Sequence, residues 1–459
     1  MGQGDQEKLP QSSKGALRQV FLVLFIDLVG FSIIFPLFPG MLAHYEATEA
    51  AGSLFAVFFA LLRQVTVWAG APNAEWSTIV LFGGLLGGLY SFLQFLCAPF
   101  FGALSDRVGR RPVLLVSIAG TLVAYAMWFF AGNFALLVCS RLISGIMSAN
   151  ISTATAVVSD VTSRGNRSKG MAVIGIAFGL GFILGPAIGG VSTLVDLSAQ
   201  FPGLVAYGVN PYSMAALVAA ILTAINLVMV LVRFEETLPL ERRGRAGTER
   251  TLNPLALLSV ERFPGVNRTI LAYFLFLLAF SGMEFSLTFL AVERLGYTER
   301  SNAGIFLFVG LVLALMQGGY VHRFGDRIAP RSMAVHGFLA VIPGLMIIGW
   351  AGHVQSGAIL FLGLFFLSVG AAQAMPCLTA LVSLYTPDAE QGRILGIFRS
   401  LGALARALGP LSAGLLYWRL GPAMAYAAAG LFLIVPLLLT QGLPHPARER
   451  MEPVESQAG

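Results

Sequence analysis

The sequence predicts an all-α integral membrane protein with about twelve transmembrane helices, and three observations lead to that prediction. Of the 459 residues, 56% are hydrophobic and only 11% are charged, with a mean hydropathy of +0.79. Soluble globular proteins do not reach that balance. A charged turn at 102–111 separates the apolar runs 79–101 and 113–131, each long enough to cross a bilayer. The chain also divides into two similar halves.

The apolar runs are taken as transmembrane spans because a helix needs about 20 apolar residues to cross the hydrocarbon. The predicted spans are 17–42, 78–101, 112–131, 134–160, 169–194, 211–233, 267–292, 301–322, 332–352, 356–385, 391–418 and 421–442. Between the first two lies a further apolar run, 54–62, which Arg63 and Gln64 interrupt. We expect this run to form a helix at the membrane interface rather than a thirteenth span.

The net charge of +6 reflects membrane topology rather than a nucleic-acid partner. Most basic residues fall in loops of one parity, and cytoplasmic loops of membrane proteins carry such an excess. The residues concerned are Arg107, Arg110, Arg111, Arg164, Arg167, Lys169, Arg323, Arg327 and Arg331. Both termini are therefore predicted to be cytoplasmic.

The spans divide six and six around a segment rich in Arg and Glu. This predicts a tail at 1–16, a six-helix bundle at 17–233, a cytoplasmic linker at 234–266, a second bundle at 267–442 and a tail at 443–459. The segment 185–190 also matches 409–414, which indicates an internal duplication. Parallel repeats of this kind place a substrate site between the halves near mid-membrane, and rocking of the halves gives alternating access.

The turn at 102–111 resembles the signature between the second and third helices of the major facilitator superfamily, and we call it the signature turn. The segment 26–40 resembles the first helix of the tetracycline/proton antiporters of that superfamily, and 141–145 resembles its fourth-helix arginine motif. The segment 181–190 resembles its fifth-helix antiporter motif. The motif residues are Gly181, Gly185, Pro186, Gly189 and Gly190.

These resemblances imply the major facilitator fold and antiport. The segments 81–99, 236–241 and 399–410 further resemble the animal tetracycline-transporter-like group of the superfamily, which implies a proton-linked antiporter of organic anions and tetracycline-like drugs. The implied partners are the small-molecule substrate, protons and the bilayer. We expect a monomer in the plasma membrane, with an endomembrane or the inner nuclear membrane as alternatives. We expect no cofactor and no metal.

Two buried charges of the first half are candidates for proton coupling. Asp27 lies near mid-membrane in the first span, where a charged carboxylate costs about 2.5–3.5 kcal/mol, so the neutral acid is favoured. We expect Asp27 to be the proton site, the alternative being a packing Asp satisfied by its neighbours. Arg141 is the expected electrostatic counterpart, or else it only pairs with backbone carbonyls.

Substrate-binding candidates come mainly from the second half. Arg399 and Arg406 are seven residues apart, so they share a helical face on which an anionic group could be held. A permanent ion pair between the halves, with Glu284 or Asp27 as partner, is the alternative. Glu284, Gln94, Gln317 and Gln373 are isolated polar groups in apolar spans. They would line the cavity or join helices by hydrogen bonds.

The signature turn supplies the gating candidates. These are Gly102, Asp106, Arg107, Gly109 and Arg110. The resemblance implies that Asp106 pairs across the interface of the halves in one access state. His322 replaces the acid in the degraded second copy at 318–327, so only the first copy is expected to gate.

The sequence contains no phosphate-binding loop, metal-ligand cluster or nucleophile–base arrangement that would indicate an ATP-driven pump or an enzyme. Two rival functions stay open. One is a facilitative uniporter or proton symporter of the same fold. The other is a non-transporting receptor or partner subunit built on a transporter scaffold.

Overall fold

A computed structural model describes residues 11–68, 74–148, 150–162, 167–243, 265–321, 323, 328–386 and 391–444, and contains no strand among them. The helices of the first half are α1 (Gln11–Ser32), α2 (Phe38–Thr48), α3 (Leu54–Trp68), α4 (Ala74–Val108), α5 (Arg110–Phe129), α6 (Phe134–Met147), α7 (Asn150–Val161), α8 (Arg167–Ser192), α9 (Leu197–Gln200) and α10 (Ser213–Arg233). Those of the second half are α11 (Val266–Leu295), α12 (Glu299–Leu315), α13 (Pro330–Val354), α14 (Gly357–Tyr385), α15 (Gln391–Phe432) and α16 (Ile434–Gln441).

The predicted all-α membrane fold is confirmed. Within the described residues, ten helical stretches are long and apolar enough to cross a membrane. The last of them, Ile394–Gln441, is 48 residues long and bends at Gly421, where φ is 77°. This stretch therefore holds two passes. Counting it as two and adding the 26-residue helix α8 would give twelve passes, a number that stays a prediction.

Three predicted spans are less regular than expected. The span 17–42 is broken between α1 and α2 by a 3₁₀ turn, Phe35–Leu37, because Pro36 and Pro39 lack the N–H that a helix needs. The span 134–160 is divided into α6 and α7. The helix α12 ends in a π-helical turn, Met316–Val321, a type of distortion that is frequent at functional sites.

Glycines allow equivalent helix pairs to pack closely in the two halves. In the first half, Gly181 and Gly185 of α8 face the backbone and side chains of α1, and Gly189 faces Ile33 and Pro36 just beyond α1, so that a Cβ at each glycine would collide. In the second half, Gly409 of α15 faces Gly282 of α11 in the same way. The matching contacts support the internal duplication that the sequence indicates.

The halves meet along two seams, α4 against α15 and α8 against α12 and α14. In the first seam a Cβ added to Gly88 would lie 2.7 Å from the carbonyl oxygen of Ala407, and one added to Gly84 would lie 3.1 Å from that of Pro410. At Gly88 only glycine allows this separation without a shift of the backbone, so the two helices are in close contact here.

The first and last helices of each half meet on one face. The Gln19 amide of α1 donates to the carbonyl oxygen of Arg233 at the end of α10, at 2.6 Å. Arg268 of α11 donates to the carbonyl oxygen of Gly442 beyond α16, at 3.1 Å. These contacts agree with an even number of membrane passes in each half, which stays a prediction.

The predicted extra helix of the 43–77 region is present as α3. It packs against α4 through Phe55, whose ring lies 5.4 Å from that of Phe82, and through Thr66, whose hydroxyl lies 2.9 Å from that of Thr78. Its outer side is apolar, with Leu54, Val57, Leu61 and Val65 exposed. Its depth in the bilayer stays a prediction.

Candidate functional site

Polar side chains converge in a small cavity of about 50 Å³ within the second half. The cavity is bounded by α11, α12, α14 and α15 and is lined mostly by Leu, Phe, Met and Val side chains. Its polar lining consists of Ser281, Glu284, Gln317 and Arg406. Three of these were candidates from the sequence, and the structure brings them to one site.

A second, smaller cavity of about 20 Å³ extends this site to the boundary between the halves. Glu284 and Arg406 also line this cavity, opposite Phe31 and Phe35 of the first half and Ser91 of α4. The two charged residues thus lie between the halves, where the repeat architecture predicts a substrate site.

Arg406 contacts the first half directly. Its guanidinium Nη2 donates to the Gln94 side-chain oxygen at 3.3 Å. The Gln94 amide nitrogen in turn donates to the carbonyl oxygen of Ser148, at the end of α6, at 3.2 Å. Gln94 therefore links the arginine of α15 to two helices of the other half.

Glu284 has no hydrogen bond or ion pair within the described ranges, although Arg406 is the cation whose charge acts on its carboxylate. Gln317 lies in the π-helical turn, and its side-chain oxygen is buried and accepts no hydrogen bond from the residues that the structure describes. Among the described residues, the cavity thus contains two acceptor groups without a protein donor.

Arg399 and Gln373 lie outside the described linings of these cavities. Arg399 is held by a hydrogen bond with Tyr273 and lies over the ring of Phe398, 5.5 Å from its centroid. Its charge nevertheless acts on Arg406. Gln373 donates to the carbonyl oxygen of Val369 in its own helix at 2.9 Å.

Asp27 and Arg141 lie in an aromatic environment in the first half. Both are buried, with 4% and 2% of their surface exposed, and the charges of both act on Tyr90. The guanidinium of Arg141 lies over the Trp128 ring at 4.6 Å and the Tyr125 ring at 5.6 Å. Composition gave no indication of these aromatic partners, which stabilise a cation through their π-electrons.

In the signature turn, Arg110 is the central residue. Its guanidinium donates to Asp106 at 2.5 Å, to the Ser105 hydroxyl at 2.7 Å and to Asp160, at the end of α7, at 3.0 Å. Burial raises the pKa of the Asp160 carboxyl, an effect that the neighbouring Arg110 opposes. Sequence reasoning missed Asp160, although an acid at the end of a span that faces basic loops is a usable signal.

The linker also binds the signature turn. The Glu236 carboxylate accepts hydrogen bonds from the backbone N–H groups of Arg110 at 2.9 Å, Arg111 at 3.2 Å and Leu238 at 3.0 Å. Gly109 lies directly beneath it with φ at 110°, a conformation that favours glycine. Sequence analysis included Glu236 only within the segment 236–241 and did not predict its role as a cap of α5.

The remaining gating candidates make fewer contacts. Arg107 is exposed, and a Cβ added to Gly102 would meet Ser152 at an ordinary 3.8 Å. His322 lies outside the described residues, so the comparison of the two copies of the turn stays a prediction.

Similarity to known proteins extends over nearly the whole chain. The Major Facilitator Superfamily family model matches residues 20–410 and 323–457. The human major facilitator superfamily domain-containing protein 10 is 38% identical over 450 residues, which cover 94% of this chain and 93% of the human protein. Tetracycline resistance protein, class C, of Escherichia coli is 27% identical over 410 residues, covering 88% of this chain and 90% of that protein. The crystal structure of the human organic anion transporter MFSD10 (TETRAN) matches with a TM-score of 0.77 and 36% identity, over 94% of this chain and 100% of that chain.

Proposed function

Since the chain belongs to the major facilitator superfamily of transporters, we propose that it exports small amphipathic organic anions and tetracycline-like drugs in exchange for protons, by alternating access. The observation that supports this most directly is Arg406, which lies in an apolar cavity at the boundary of the halves. The human relative described as an organic anion transporter and the tetracycline resistance relative point to the same substrate class.

Arg406 has the properties of an anion-binding residue. Only 8% of its surface is exposed, and a charged side chain in such surroundings is favourable only beside compensating groups. A substrate carboxylate would form a charge-assisted, bidentate pair with the guanidinium, which is stronger than the 3.3 Å bond to the neutral Gln94 amide. The nearby Arg399 adds positive charge. The substrate would therefore replace Gln94.

Substrate binding requires the halves to separate. The main cavity of about 50 Å³ is far smaller than the roughly 300–1,000 Å³ that drug-sized ligands occupy. The bond between Arg406 and Gln94 crosses the boundary of the halves, so opening the cavity and releasing Arg406 for a substrate are one movement.

We place the proton site at Asp27, with Arg141 as its electrostatic counterpart. A carboxyl buried at this depth favours its neutral form, and a nearby guanidinium favours the charged form. The shared influence of both charges on Tyr90 supports the pairing. We also propose that the signature turn and both termini face the cytoplasm, and that the monomer resides in the plasma membrane.

The test uses purified protein in liposomes that enclose a pH-sensitive dye. Organic anions and tetracycline are added outside, and the expected result is a substrate-dependent proton movement that Asp27→Asn abolishes. Arg406→Gln should abolish the response to carboxylates. Arg419→Gln is the matched control, because Arg419 lies on the same helix but is exposed.

Four outcomes would contradict the proposal. Proton movement in the same direction as the substrate would indicate a symporter. Substrate movement without protons would indicate a uniporter. Absence of both proton movement and radiolabelled exchange would favour a non-transporting role. Normal carboxylate transport by Arg406→Gln would remove the anion site from Arg406.

A further inference from the structure

We infer that the cavity of the second half selects zwitterions, with the anionic group of the substrate on Arg406 and its cationic group on Glu284 and Gln317. This inference rests on the proposed function and deepens it by naming a substrate class. It assigns Glu284 a role in specificity and in the exchange of substrate for protons.

The first reason is the charge pattern of the cavity. Glu284 and Arg406 line the same two cavities, yet Glu284 makes no ion pair within the described part of the chain. An acid and a base that stay apart in one apolar cavity leave room for a ligand between them. A ligand with both charges satisfies both groups, whereas a simple anion satisfies only Arg406 and adds a like charge near Glu284.

The second reason is the orientation of Gln317. Its buried side-chain oxygen accepts no hydrogen bond from any described residue, and a buried acceptor is unfavourable unless a partner is supplied. The π-helical turn Met316–Val321 places it in the same cavity as Glu284. A substituted ammonium group of the substrate would pair with the Glu284 carboxylate by charge, and its N–H or a neighbouring N–H donor would satisfy the Gln317 oxygen.

The third reason is thermodynamic linkage, which sets the direction of coupling. A substrate cation and a proton that bind the same carboxylate exclude each other, so binding of one releases the other. Competition of this kind gives exchange, as an antiporter requires. A simple anion on Arg406 instead favours the protonated form of Glu284, so this residue would not drive its exchange. Exchange of simple anions then depends on Asp27 alone.

The experiment compares tetracycline with 4-dedimethylaminotetracycline, which lacks the cationic dimethylammonium group but keeps the acidic enols. Binding of both compounds to the purified protein is measured between about pH 5.5 and 7.5, a range in which that ammonium group stays largely charged. In the wild type, the Kd for tetracycline divided by the Kd for its analogue should fall as pH rises. Glu284→Gln should weaken tetracycline binding about 10-fold to 100-fold and leave binding of the analogue nearly unchanged. It should also remove the pH dependence of the ratio of the two Kd values.

Two variants keep the inference testable if Glu284→Gln folds poorly. Glu284→Asp should retain the preference for tetracycline, because it keeps the carboxylate. Gln317→Met, which keeps the volume but not the acceptor, should weaken tetracycline more than its analogue. Equal binding of the two compounds by the wild type, or an unchanged ratio in Glu284→Gln and Gln317→Met, would overturn the inference.

The liposome assay separates this inference from the proposed function. If Glu284→Gln loses tetracycline exchange but still moves simple carboxylates with the Asp27-dependent proton signal, both proposals are supported. If the Asp27-dependent signal is present and Glu284→Gln exchanges both compounds as the wild type does, only the zwitterion inference fails. If the wild type gives no proton signal with any compound, the proposed function fails, and binding selectivity alone decides the inference.

Discussion

The Glu236 carboxylate joins the linker to the signature turn, and Glu236→Ala is expected to destabilise the protein. Two of its three hydrogen-bond donors, the N–H groups of Arg110 and Arg111, are the first of α5. A side-chain acceptor at a helix N-terminus contributes about 0.5–2 kcal/mol, and negative charge there adds about 0.3–1 kcal/mol. Because 23% of the Glu236 side chain is exposed, water compensates for part of the loss, and we expect a net cost of about 1–2 kcal/mol.

This cost corresponds to a drop in Tm of roughly 2–8 °C, at about 2–4 °C per kcal/mol for a unit the size of one half. The measurement is thermal unfolding in detergent with a thiol-reactive dye, since the half-buried Cys97 lies in the same half. The Tm of Glu236→Gln should fall between those of the wild type and Glu236→Ala. The amide keeps one acceptor oxygen, but its NH₂ group is a donor and cannot accept a hydrogen bond from a backbone N–H. Glu235→Ala is the matched control, because Glu235 is exposed and makes no described contact.

A Tm for Glu236→Ala within about 1 °C of that for Glu235→Ala would refute the reasoning. It would mean that water satisfies the three N–H groups as well as the carboxylate does.

Three further substitutions test contacts of other regions. Gly185→Ala would force a Cβ against α1, so we expect little folded protein, whereas Gly304→Ala meets open space in α12 and should be neutral or stabilising by up to about 1 kcal/mol. Tyr426→Phe removes the hydroxyl that lies 3.0 Å from that of Ser286 and should cost about 0.5–1.5 kcal/mol. Asp160→Asn should gain stability relative to the wild type as pH rises above 3.8, the ordinary pKa of an Asp carboxyl, because the stability that protonated Asp160 contributes below that pH is lost as pH rises through its raised pKa.

The yield of monodisperse protein after size-exclusion chromatography checks the glycine pair, and equal yields of both variants would show that α1 and α8 can separate without cost. Thermal unfolding checks the other two. A Tyr426→Phe variant as stable as the wild type would mean that the hydroxyl contributes nothing. A constant difference between Asp160→Asn and the wild type across the pH range would contradict the assigned effect of burial.

Hydropathy predicts the helices well, because a span of about 20 apolar residues is a strong signal. Irregularities follow from more local causes. The break after α1 could be anticipated from Pro36 and Pro39, whereas no proline marks the break between α6 and α7. The π-helical turn after α12 depends on packing against other helices and has no sequence signal of its own.

The candidate site was predictable in its residues but not in its contacts. Charged and amide side chains inside apolar spans are costly, so Glu284, Arg406 and Gln317 could be selected from the sequence. Helical spacing correctly places Arg399 and Arg406 close together, yet only Arg406 lines the cavities. Tertiary packing determines which side chains come into contact, and for that reason the pairing of Asp160 with Arg110 was not predicted.

The position of Gln94 has a consequence for communication between the two halves. It holds Arg406 through its oxygen and Ser148 through its nitrogen, and the Ser148 side chain hydrogen-bonds Tyr90, on which the charge of Asp27 acts. A substrate that binds Arg406 would release one end of this relay, and the change would reach the surroundings of Asp27 through three polar side chains. Under the proposed function, substrate binding at Arg406 and proton exchange at Asp27 would therefore be coupled through the hydrogen bonds of Gln94.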